Sequence, residues 1–88
     1  MPRPYGTHLY LIRGAEWVKV GRSKHCDTRF LEIQQSVPWC ALTLLHVYPG
    51  LGSLEPAVHR ALAAYERKAE WFRCAPEDAQ EAVERARV

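Results

Sequence analysis

The sequence predicts an α+β domain: a small three-stranded antiparallel sheet, made of an N-terminal β-hairpin plus a third strand, flanked by about three helices. Three observations predict it. Residues 8–13 (HLYLIR) and 17–21 (WVKVG) alternate apolar and polar side chains and are rich in β-branched and aromatic types. Residues 41–48 (ALTLLHVY) are nearly continuous in apolar character and read as a strand buried on both faces or nearly so. The stretches around 27–36, 53–65 and 76–87 carry helix-starting residues, and the first two space their apolar side chains at helical intervals.

Length and composition bound the answer. At 88 residues the chain is one domain, 1–88, and a single core must stabilise it. An apolar fraction of 48% with three Trp supplies that core and argues against disorder. No apolar run approaches the length a bilayer needs, and no charged-then-apolar leader opens the chain, so a soluble, unprocessed protein is expected. Cys26, Cys40 and Cys74 are an odd number without a CxxC pair, which argues for a reducing cytoplasm. Pairing Cys26 with His25, or Cys40 with His46, fits no tetrahedral zinc spacing. Charge is uneven. Residues 1–30 hold six basic side chains against Glu16 and Asp27, a net of +4, and the remainder carries −2. A basic N-terminal third suits a polyanion; ordinary surface charge is the plainer reading.

Residues 1–7, with two Pro and a Gly, read as an irregular lead-in. Gly14 at the first central position suggests a two-residue type II′ turn between the first two strands. Arg13 would then face Glu16, Tyr10 would face Lys19, and Leu9, Leu11, Val18 and Val20 would share the core face. Asp27 is the expected N-cap of a helix to about Ser36, with Phe30, Ile33 and Val37 packing down and Pro38 ending it. Ser53 is the expected cap of a second helix, Pro56 lying in its first turn and Leu54, Val58, Ala61, Leu62 and Tyr65 forming its core stripe. Glu70-Trp71-Phe72 reads as a polar-aromatic anchoring unit. A third helix opens at Pro76-Glu77-Asp78 and ends with Arg85 and Arg87, as its dipole prefers.

Four side chains are candidates for chemistry: Tyr10, Lys19, Arg29 and Glu55. An ammonium facing a phenol favours the phenolate, so Lys19 is expected to lower the Tyr10 pKa and fit it to take a proton from water. Arg29, a cation in the first turn of a helix, could hold a phosphate by a bidentate fork. Glu55, in a helix's first turn, stays ionised and suits a hard divalent cation such as Mg²⁺. His59, one turn below Glu55, divides evenly between a functional and a structural reading. Arg22 and Lys24 flank the site on a loop and are candidate phosphate contacts. Each residue taken singly has a bland reading: a sheet-surface aromatic, a solvated lysine, a surface arginine, a favourable first-turn acid.

In order, these residues resemble the GIY-YIG nuclease superfamily. His8-Leu9-Tyr10 stands where the GIY triplet does and Lys19-Val20-Gly21 where the YIG triplet does, followed by Arg29, Glu55, Val58-His59 and Glu70-Trp71-Phe72. The similarity is to a compact phage and bacterial branch and covers residues 8–73. It implies metal-dependent hydrolysis of DNA, expected to be double-stranded, with Tyr10 activating water, Arg29 steadying the phosphate, Lys19 replacing the second motif tyrosine, and Glu55 as the one protein ligand of a Mg²⁺ or Mn²⁺ ion. A homodimer or a separate DNA-targeting protein is a candidate partner; a membrane is not. Two other classes stay open: a catalytically silent nucleic-acid-binding module of the same fold, and a protein-interaction domain using Trp39 and Trp71.

Overall fold

The computed structural model describes residues 7–88; the expected lead-in over 1–6 lies outside the described residues. The architecture is α+β with three α-helices, but the sheet has five antiparallel strands, not three. β1 (His8–Gly14) and β2 (Trp17–Ser23) form the central hairpin, and β3 (Leu42–Tyr48) pairs with β1. The two extra strands are β4 (Arg67–Lys68) and β5 (Trp71–Phe72), which continue the sheet in the order β3-β1-β2-β5-β4. Two residues per strand is too short for an alternating pattern to register. Their turn also uses Ala69 at φ 54° where a glycine or asparagine would have signalled it. The anchoring unit is therefore part of the sheet.

The hairpin register differs from the expected one by two residues. Gly14 pairs with Trp17, Ile12 with Lys19 and Tyr10 with Gly21; Tyr10 does not face Lys19. The turn is Ala15-Glu16, with Ala15 at φ 55°. Gly14 is needed for a different reason: a Cβ there would meet Leu42 Cδ2 at 2.6 Å, so the glycine lets β3 close on the hairpin. A shift of two keeps parity, and the core face holds as read. Leu9, Leu11, Val18 and Val20 are all fully buried beneath α2 (Glu55–Ala61) and α3 (Pro76–Arg87), with Val58, Leu62, Phe72, Ala79 and Val83.

The opposite face is covered by α1 (Cys26–Ser36) and packs Tyr10, Ile12, Cys26 and Ile33 with Phe30, Leu44, Val47 and Trp71. Here α1 starts two residues earlier than it would if Asp27 capped it. His25 is the N-cap, with no side-chain cap, because burying Cys26 between β1 and β2 sets the start. Ser53 likewise caps nothing: a 3₁₀ turn at Gly52–Leu54 leads into α2. Ala61 and Tyr65 lie exposed rather than in the core stripe, α2 having ended by Leu62. β3 is an edge strand, buried on neither face throughout. A bulge opposite Leu11/Ile12 lets Leu44 and Val47 reach the α1 face while Leu45 and Tyr48 reach the other. That irregularity explains why β3 reads as a continuous apolar run.

Candidate active site

The site forms around the last residues of β2, where β5 has already ended. β5 pairs only with Val18 and Lys19, and the Val20 N–H donates to the Glu70 carbonyl at 3.1 Å. Among the described residues, no strand flanks β2 on that side from Gly21 onward. Gly21 is buried and lies under the Tyr10 ring; an added Cβ would collide with the Tyr10 hydroxyl and ring. Tyr10 can therefore lie flat across the strand only because residue 21 has no side chain.

Two groups of side chains meet there from opposite faces. On the α1 face, the Arg29 guanidinium lies near enough to the Tyr10 hydroxyl to favour its ionised form. Arg29 also donates to Glu32 Oε1 at 3.2 Å and is half exposed. Tyr10 is buried, and burial raises its pKa above 10.0 against the lowering effect of Arg29; the Glu70 and Cys26 charges add to the rise. Lys19 does not act on Tyr10 as the sequence suggested. It points at Glu70 instead, with Nζ–Oε1 at 2.8 Å, and lies 5.8 Å from the Trp71 ring centre. The phenol is thus held protonated, contrary to expectation, because burial outweighs its one cationic neighbour.

On the α2 face, Glu55 and His59 are one turn apart, each only about one-eighth exposed. Glu55 Oε1 lies 3.5 Å from Arg22 Nε, and Glu55 Oε2 lies 4.0 Å from His59 Nε2. His59 Nε2 is 3.0 Å from the Val20 carbonyl and Nδ1 is 3.3 Å from Arg67. An acceptor at Nε2 and a donor at Nδ1 select the Nε2–H tautomer. His59 therefore ties α2 to the end of β2 beside the carboxylate. Lys24 is exposed on the β2–α1 connection, in a shallow pocket with His8, Cys26 and Thr28. The sequence reading missed Glu70 as the partner of Lys19, and Arg67 as the partner of His59. Both lie on the β4–β5 hairpin, and recognising that hairpin would have put them beside β2.

Among the described residues no three His, Cys, Asp or Glu side chains gather at one point. A cation here would have Glu55 as its protein ligand and would draw its other oxygens from water and substrate. That hard, incomplete donor set fits Mg²⁺ or Mn²⁺, which retain waters and bind through one or two carboxylates plus phosphate. Arg22 neutralises the same carboxylate and would have to yield to the ion.

Fold and geometry together define a small α+β domain whose sheet edge gathers a phenol, basic side chains, a carboxylate and a histidine. The chain belongs to the T5orf172 domain family, whose profile matches residues 7–87. Comparison with curated proteins and with solved structures finds no match. No helix among the described residues is long and apolar enough to cross a membrane.

Proposed function

We propose that this is a metal-dependent endonuclease of the GIY-YIG type that hydrolyses DNA phosphodiester bonds. The observation that carries the reading is the meeting of Tyr10–Arg29 and Glu55–His59–Arg22 about the unflanked end of β2, in a chain whose family match covers both groups. A carboxylate so little exposed beside a basic cleft gives no advantage to a domain that only binds a polyanion. A divalent ion at Glu55 would supply Lewis-acid stabilisation of charge on the phosphate oxygens. Tyr10 orients the attacking water and accepts its proton once the phenol ionises. Arg29 exchanges Glu32 for the phosphate, and Lys19 offsets charge that grows in the transition state. His59 holds the end of β2 against α2, and Arg22 and Lys24 contact neighbouring phosphates.

The second reading, a catalytically silent nucleic-acid-binding module, is favoured by one observation: burial keeps the proposed base protonated. Conversion of supercoiled plasmid to nicked or linear form with Mg²⁺ or Mn²⁺ separates the two. The endonuclease reading expects conversion by the wild type and its loss in both Glu55→Ala and Tyr10→Phe, each checked for folding. Salt-sensitive DNA binding without conversion, kept or tightened in Glu55→Ala, would support the silent module instead.

A further inference from the structure

The α1 face of the sheet carries Tyr10 and Lys19 toward one end, and at the hairpin end it opens into a groove of about 290 Å³. Its walls are almost wholly apolar, and Trp17, Trp39 and Trp71 all line it, which are all the tryptophans of the chain. Trp39 is 80% exposed, an indole held out to solvent on the loop after α1. Gln34 fixes that loop, its amide donating to the Val37 and Cys40 carbonyls at 3.1 and 2.9 Å and its oxygen accepting from Leu42 N–H at 2.7 Å. One ammonium stands on the rim: Lys68 lines the groove, its Nζ 5.8 Å from the Trp17 ring centre. Along β1 the groove floor at Gly14 and the Tyr10 ring are four residues apart, about 13 Å at the rise of a strand. That is a reach of a few nucleotides.

We infer that this groove is a subsite for an unpaired nucleobase, so that the substrate is bound with at least one base out of the duplex. The inference rests on the nucleic-acid reading above and names the kind of substrate. Aromatic walls receive the face of a base whatever its identity, and the Lys68 ammonium at the rim meets a phosphate beside it. An apolar protein contact fits less well, since the cores of such contacts are depleted in lysine. The groove also opens on the same face of the sheet as Tyr10 and Arg29.

The test uses the full chain with chelator present to prevent cleavage, reading tryptophan fluorescence, which arises only from this groove. Wild type and Trp39→Ala are titrated at low salt with a short oligothymidylate and with an abasic strand of the same length. Wild type is expected to be quenched by oligothymidylate and to bind it about tenfold tighter than the abasic strand. Trp39→Ala, which removes an exposed side chain, should lose that tenfold and keep its affinity for the abasic strand. Equal affinity for the two strands in wild type would overturn the base subsite and leave phosphate binding standing. Binding of neither strand would overturn both this inference and the nucleic-acid reading. A concentration-dependent dimer that disappears in Trp39→Ala would also overturn it, by showing that a second copy fills the groove.

Discussion

The two faces of the sheet are built on opposite terms. Beneath α2 and α3, β1 and β2 present Leu9, Leu11, Val18 and Val20, all fully buried and all apolar. Beneath α1 the same two strands present Tyr10, Ile12, Lys19 and Gly21, where a phenol and an ammonium are buried and a glycine takes the place of a side chain. Each buried polar group has a partner from outside its own hairpin: Arg29 on α1 for Tyr10, Glu70 on the β4–β5 turn for Lys19. Burying a charge with one partner rarely gains stability over an apolar side chain of the same shape. One face therefore makes the fold, and the other holds buried polar groups in place at a cost in stability.

The sharpest way to break the comparison is Leu11→Ala. A fully buried leucine between two strands should cost about 2–5 kcal/mol in urea unfolding. A loss under about 1 kcal/mol would mean that this face is not the stabilising one. Next comes pH. Because burial holds Tyr10 above 10.0, cleavage that depends on its phenolate should rise about tenfold per unit between pH 7 and 9. Stability moves the other way: the raised pKa favours the fold while the phenol is protonated, and that contribution is lost as pH climbs above about 10. A flat rate profile would remove Tyr10 as the base. Gly21→Ala should cost about 1–3 kcal/mol, because the new methyl meets the Tyr10 ring, and should release the ring, seen as a changed tyrosine titration. The smallest effect concerns Cys74, whose thiol burial pushes up to about 11. At pH 8 roughly a thousandth is thiolate, so Cys74 should be alkylated only slowly in the folded chain.

Much of the first face was legible in the sequence, because alternation in the hairpin assigns sides without needing the register. A two-residue slip left the apolar set together, yet it separated Tyr10 from Lys19, and with them the expected electrostatic coupling. The turn misled because Gly14 leaves space for Leu42 packing rather than serving as a turn residue, and alanines adopt the left-handed conformation at both tight turns. Glu55 and His59 come together as helical spacing suggested, whereas Arg22, expected on a loop, lies within β2 and reaches Glu55 from there. Glu70 and Arg67 did not announce themselves, since two-residue strands carry no period and a sheet edge is assembled by distant segments. The bulge in β3 is equally silent: its extra residue, Leu45, is apolar like its neighbours.

Lys19→Met tests the central claim most directly, because it keeps an unbranched stem of similar volume and removes the ammonium group with its bond to Glu70. Urea unfolding and plasmid cleavage in Mg²⁺ would be measured on the same samples. We expect a stability within about 1 kcal/mol of wild type, or higher, since Glu70 is 43% exposed and can return to water. Cleavage should fall about 10²–10³-fold. A marked loss of stability with cleavage per folded molecule unchanged would contradict the account and make the Lys19–Glu70 pair a structural strut.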